Sequence, residues 1–388
     1  MSWKGIVTRV GAAIEDRFDR MKYRLIDRLG GDDPIMILPY RGFSNGLQTY
    51  LRGRVLEDEL PKVRGDNETI WDNLLATYKR LESDEVPNVK VAARLPGGDV
   101  EIVTDHEGFF EFLLPATFLE SGEVWQEVNL LLPEEVRGQT GIQATGEFLV
   151  PRPDSDFGII SDVDDTIIQT GATKLLTAAR LTFLENARTR QPFEGVAAFY
   201  QALQRGASRR KQNPIFYVSS SPWNLYDLLI DFMAHNNIPK GPLLLQDFGL
   251  EPDVFLHSDH LQHKMGWITR LMEFYPDLPF VLIGDSGQED PEIYREVVRR
   301  FPGRVKAIYI RDVTLKERGE AIQLLAGELR GEGVDLLLVP DSRAAADHAA
   351  SIGLISHEAE PAVAEGVARD KAQPEGIVEA LMEGDVNL

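Results

Sequence analysis

The chain has 388 residues, 43% of them hydrophobic, which is room for one large or two modest domains with a proper core. A formal charge of −21 and a pI near 4.8 disfavour nucleic acid as the main partner, because phosphate backbones are held by clustered Lys and Arg. There is no cysteine, which excludes disulfides, thiolate metal sites and a cysteine nucleophile, and points to a reducing, cytoplasmic compartment.

The first unit is residues 1–31. Trp3, Val7, Val10, Ile14, Phe18, Met21, Leu25 and Leu29 recur three or four apart, which predicts an amphipathic helix ended by Gly30 and Gly31. Its charged face has seven basic residues against four acidic ones. Such a face, with Trp3 near its start, suits peripheral contact with an anionic membrane, although packing on the chain's own body is the commoner use of such a helix. The N-terminus shows no secretory cleavage pattern, and no stretch approaches the ~20 apolar residues of a membrane span.

Residues 32–155 change to short, partly alternating runs at 49–56, 89–95, 100–104, 109–114, 124–132 and 141–150. Turn chemistry such as Leu95-Pro96-Gly97-Gly98-Asp99 separates them, so a small antiparallel β-sandwich is expected, interrupted by one helix at 70–81. Asp105, His106 and Glu107 sit together at a tight turn, where polar residues need no catalytic explanation. From 156 to 355 apolar runs at 157–160, 214–218, 280–283, 305–310 and 334–339 alternate with helix-length segments, the signature of a doubly wound parallel sheet. Residues 356–388 are rich in Glu and Ala, with eight acids against two bases from Glu358 onward, and predict a disordered tail.

Four features of the third unit carry chemistry. The run 157–160 delivers Asp162 and Asp164, two residues apart on one side of an extended chain, with Asp165 turned away and Thr166 following. Two acids in one pocket repel unless a cation holds them or one keeps its proton. The run 214–218 leads into Ser219, Ser220, Ser221 and Pro222; Ser219 at the strand end is the phosphate-binding candidate, whereas Ser221 reads as a cap for a helix at 223–234 with Pro222 at its first position. Lys264 precedes an amphipathic helix. The run 278–283 ends on Gly284 and Asp285, with Asp290 five residues later, a carboxylate pair suited to Mg²⁺. His257, His260 and His263 have a spacing that zinc could use, but acidic residues already account for a metal.

In this order, DxDxT, strand then Ser, Lys, and strand then GDxxxxD resemble the four motifs of the haloacid dehalogenase superfamily of phosphotransferases. More narrowly, Ser161-Asp-Val-Asp-Asp-Thr-Ile167, Val218-Ser-Ser-Ser-Pro-Trp-Asn-Leu-Tyr226 and Gly284-Asp-Ser-Gly-Gln-Glu-Asp-Pro-Glu292 are similar to the catalytic domain of the actin-patch-type phosphatidate phosphatases, over roughly 156–350. The resemblance implies a Rossmann-like haloacid dehalogenase domain with a parallel sheet; with the small antiparallel β-sandwich domain and the N-terminal amphipathic helix read above, the chain is expected to be α/β. It implies Asp162 as nucleophile, Asp164 as general acid and base, Thr166 as a support of the loop, and Ser219 and Lys264 as phosphoryl binders. Mg²⁺ would lie between Asp162, the backbone carbonyl of Asp164 and Asp285, with Asp290 direct or through water. The expected substrate is phosphatidate or a related lipid phosphomonoester, met by a cytoplasmic enzyme peripheral to the membrane's inner face. A small flap at 171–193 suits a substrate anchored in a bilayer. The rival readings are a phosphatase for a soluble metabolite, and a membrane-associated binding protein with a vestigial core.

Overall fold

Alternation of apolar and polar side chains builds the first sheet: in Phe109–Pro115, Phe110, Phe112 and Leu114 turn inward while Glu111 and Leu113 turn out. The computed structural model describes residues 34–57, 85–117, 119, 122–168, 192–246, 257–313 and 316–372. The helices expected at 3–29 and 70–81 and most of the flap at 171–193 lie outside the described residues.

The strands are β1 (Ile35–Pro39), β2 (Gly42–Ser44), β3 (Gln48–Glu57), β4 (Lys90–Arg94), β5 (Val100–Val103), β6 (Phe109–Pro115), β7 (Trp125–Leu131) and β8 (Gln143–Leu149). The strands expected as an antiparallel sandwich are gathered into a single mixed sheet. They belong to one curled eight-stranded sheet in the order β1-β3-β2-β8-β7-β4-β5, with β6 on β3, and the sheet is mixed because β2 and β8 run parallel. The cause is the ten-residue length of β3, which pairs with β6 along one edge and with both β1 and β2 along the other. The sheet bends around an interior that includes Leu51, Val55, Phe110, Phe112, Val128 and Phe148.

The second sheet comprises β9 (Gly158–Ser161), β10 (Ile215–Pro222), β11 (Leu243–Gln246), β12 (Phe280–Asp285), β13 (Val305–Arg311) and β14 (Asp335–Val339). All are parallel, in the order β11-β10-β9-β12-β13-β14. The chain winds outward from β9 to one side, then returns to start β12 on the other. The crevice between the carboxyl ends of β9 and β12 is therefore the switch point at which open α/β sheets bind ligands.

Helices cover both faces: α1 (Val196–Arg205), α2 (Tyr226–His235), α3 (His257–Phe274), α4 (Asp290–Arg300), α5 (Lys316–Gly331), α6 (Ser342–Ser351) and α7 (Glu360–Lys371). Neighbouring residues in β9 point to opposite faces. Ile159 packs with Tyr217 beneath α1, α2 and α6, whereas Ile160 packs with Phe216 and Leu282 beneath α3, α4 and α5. The first sheet docks on both cores, Tyr40 and Phe109 joining one and Phe43, Tyr50 and Leu149 the other. Each such buried side chain contributes about 1.5–3 kcal/mol, so this is a firm junction.

The disordered tail expected from 356 is corrected up to residue 372. Within that acidic stretch Val363 and Val367 are one helical turn apart and buried, and Asp370 Oδ2 accepts the Gly195 N–H at 2.9 Å. Acidic composition on the outer face of α7 hid a narrow apolar stripe. Residues 373–388 lie outside the described residues.

Candidate active site

Asp162 follows β9 directly and Asp285 ends β12, so the two strands flanking the switch point each deliver a carboxylate. Asp290 opens α4, and the loop between brings it back: its Oδ2 accepts the Asp285 N–H at 3.1 Å. Gly284 makes this approach possible, since a Cβ there would lie 2.4 Å from Asp290 Oδ2. Asp162, Asp285 and Asp290 are all buried and each offers an oxygen within 4.8 Å of the others. Among the described residues this is the acidic cluster able to hold a metal ion, while the side chains of His257 and His260 lie outside the described residues.

Lys264 was expected to precede its helix, but it lies within α3, which begins at His257. The ammonium is buried and reaches Asp162 Oδ1 and Asp290 Oδ1 at 2.7 Å each, and Gln288 Oε1 at 3.3 Å. Burial works against its charge, but Asp162, Asp290 and Asp285 outweigh it and hold its pKa above the usual lysine range. One ammonium does not balance three carboxylates. Burial, then the neighbouring acids, hold Asp162 well above the ordinary carboxylate range, and burial followed by Asp290 pushes Asp285 up to about 7. Asp162 Oδ2 accepts from Thr166 Oγ1 at 3.1 Å, while Oδ1 has the lysine contact but no well-aligned hydrogen bond. Crowded, desolvated carboxylates of this kind fit a hard divalent cation, which prefers oxygen ligands.

Asp164 stands beside this cluster rather than in it. Its Oδ2 accepts from Ser219 Oγ at 2.7 Å and from Ser221 Oγ at 2.9 Å, and Ser221 N–H donates to Ser219 Oγ at 2.8 Å. The cap reading of Ser221 is thus corrected: β10 runs on to Pro222, the turn that follows has no side-chain cap, and the Ser221 hydroxyl serves Asp164. Ser219 was expected at the strand end as a phosphate binder, but it lies within β10 and its hydroxyl is committed to Asp164. Burial raises the Asp164 pKa against the opposing serine hydrogen bonds, which favours a carboxyl able to hold a proton. Asp165 adopts φ 55° and donates its N–H to Ile168 O at 2.8 Å, closing the loop as a turn residue.

Two participants escaped the sequence reading. Gln288 Nε2 donates to Asp164 O and to Asp285 Oδ2, both at 3.2 Å, joining two oxygens that the resemblance assigns to the cation. Arg318 locks the same loop, donating to Ser286 O at 3.1 Å and Gln288 O at 2.8 Å while pairing with Glu292 at 2.6 Å. Gln288 lay inside the GDxxxxD stretch and was legible as a candidate. Nothing local marked Arg318, which arrives from another helix.

Fold and site together define an α/β domain whose buried acids, lysine and hydroxyls converge on the switch point of a parallel sheet. Residues 157–312 match the family model described as phosphatidate phosphatase APP1, catalytic domain, as the motifs had indicated. The chain is 28% identical over 239 residues to phosphatidate phosphatase APP1 of Saccharomyces cerevisiae, covering 59% of this chain and 39% of that one. It is 26% identical over 246 residues to an uncharacterized protein of Schizosaccharomyces pombe, covering 62% and 40%. The chain thus spans about two fifths of the length of these curated relatives. A carbohydrate acetylesterase structure from Xanthomonas citri aligns over 74% of this chain and 72% of that one at 12% identity and a TM-score of 0.26, which carries no argument.

Proposed function

We propose that the protein is a Mg²⁺-dependent phosphatase of the haloacid dehalogenase type that hydrolyses phosphatidate, or a closely related lipid phosphomonoester, to diacylglycerol and phosphate. The observation that carries this is the gathering of Asp162, Asp285, Asp290 and Lys264 at one switch point, inside the stretch matched to the catalytic-domain family. The complete set speaks against a vestigial core.

In this reading Asp162 attacks phosphorus and forms an aspartyl-phosphate, with Lys264 and Thr166 fixing its two oxygens. Asp164, held by Ser219 and Ser221, gives its proton to the departing alkoxide and then takes one from the water that cleaves the intermediate. Lys264 also offers positive charge to the phosphoryl oxygens. Asp162, Asp285 and Asp290, with the Asp164 carbonyl, would hold Mg²⁺, which supplies charge neutralisation to a transferring phosphoryl group. Among the described residues no helix is long and apolar enough to cross a membrane.

The test is phosphate release from vesicle-borne phosphatidate and from a panel of soluble phosphomonoesters, each with Mg²⁺ and with excess chelator. The proposal expects vesicle phosphatidate to be the preferred substrate and the chelator to abolish release. Preference for a soluble ester would move the substrate to the metabolite class, and full activity in chelator would remove the cation.

A further inference from the structure

The turn Trp223–Leu225 and the first residue of α2 begin immediately after the serines that hold Asp164, yet no local side chain caps the turn or the helix. Their position is set from the curled sheet instead. Tyr40, just past β1, stacks on Trp223 with ring centroids 4.3 Å apart and planes 23° apart, and meets the Tyr226 ring at 4.5 Å. The next residue donates its backbone N–H to Tyr226, Arg41 N to Oη at 2.8 Å. From β3, Arg54 Nη1 donates to Asn224 Oδ1 at 3.2 Å, and Arg54 is itself braced by Glu85 at 2.8 Å and the Glu107 carbonyl at 2.7 Å. Trp223 is buried in this grip. Between it and Ser221 stands only Pro222, whose ring fixes its backbone and transmits position stiffly.

The geometry points to the curled sheet as a working part of the catalytic unit: by gripping residues 223–226 it holds Ser219 and Ser221 on Asp164 and so aims the proton given to the leaving group. This rests on the phosphatase reading above. Tyr40, Arg41 and Arg54 are positioning residues that act through the serines. A sheet that merely packed against the second domain would influence all substrates alike. A sheet that aims Asp164 matters most where the leaving group needs a proton.

The experiment compares a short-chain phosphatidate, whose alkoxide leaves poorly, with p-nitrophenyl phosphate, whose leaving group needs little protonation. The variants are Asn224→Ala combined with Tyr226→Phe, which remove the two polar grips, and Tyr40→Leu, which removes the stacking partner from the other side; Tyr40→Phe is the conservative control. Because a positioned general acid is worth about 10²–10⁴ in rate, kcat/KM on the phosphatidate, which reports the steps up to departure of the leaving group and not hydrolysis of the aspartyl-phosphate common to both esters, should fall at least tenfold in the double variant or in Tyr40→Leu, whichever folds with native circular dichroism. On the aryl ester it should change less than about threefold, and Tyr40→Phe should behave as wild type. Equal losses on both esters, or none, overturn the inference. If Asp164→Asn itself loses kcat/KM equally on both, the acid role falls and the inference with it; if the wild type cleaves neither ester, it is the phosphatase reading that has failed.

Discussion

Replacing Lys264 with Met removes the ammonium that lies 2.7 Å from both Asp162 and Asp290 and leaves the buried acids without a cation from the chain. At an effective dielectric of 20 each contact corresponds to about 6 kcal/mol of attraction, but that is no measure of the loss, because the cluster can take up a proton in place of the lost charge. Protonating a carboxylate whose unfolded value is 3.8 costs about 1.36 kcal/mol per pH unit above it. The cap is therefore about 4 kcal/mol at pH 7 and about 1.6 kcal/mol at pH 5. The first figure falls within the ~3–5 kcal/mol usual for breaking a buried pair. Urea unfolding of wild type and Lys264→Met in chelator, at both pH values, should show this shrinking difference, and Mg²⁺ should reduce it at pH 7. A difference that is independent of pH, or below about 1 kcal/mol at pH 7, would mean that the carboxylates do not share the ammonium as one cluster.

Asp285, raised to about 7 from 3.8, holds extra proton in the folded state between those values, so chelated protein should lose stability as pH rises across that window; thermal melts with Mg²⁺ should show the loss offset, and flat melts would contradict it. Since the ion must displace that proton, the Mg²⁺ concentration giving half of the melting shift should rise by up to about tenfold per pH unit below 7, and a constant value would count against Asp285 as a ligand. Gly284→Ala forces Asp290 aside, because its oxygen would lie 2.4 Å from the new methyl; activity should fall about 10²-fold with the fold retained, and a wild-type rate would show that the Asp290 position is immaterial. Asp164→Asn should slow turnover on phosphatidate by about 10²–10⁴, and a loss under tenfold would place the acid elsewhere.

The site was legible because each half of it is local. A buried strand ending in carboxylates declares itself within a few residues, and both β9 and β12 did so, as did the strand before Ser219. Groups that depend on distant chain segments were not legible. Ser221 looked like a helix cap because its spacing to Trp223 is that of a cap, whereas Asp164, 57 residues earlier, claims its hydroxyl. Lys264 was recognised, but the start of α3 was not, since His257 to Gln262 is polar and carries little helical periodicity. The first sheet was recognised as β but two of its strands were not: Ile35–Pro39 is a continuous apolar run and Gly42–Ser44 only three residues, so neither showed the alternation that marks a strand. Without those two strands nothing in the sequence revealed that β3 has partners on both edges and curls the sheet. In α7 the two buried valines were outvoted by the acids around them.

In the proposed reaction Asp162, at the switch point between β9 and β12, takes the phosphoryl from a lipid phosphomonoester. Acid quench of wild type turning over phosphatidate labelled in its phosphate, followed by peptide mapping, tests it most directly. Label should settle on the peptide that contains Asp162, and folded Asp162→Asn should show neither label nor turnover. Phosphate release by Asp162→Asn at the wild-type rate, or label settling on a different peptide, would contradict it.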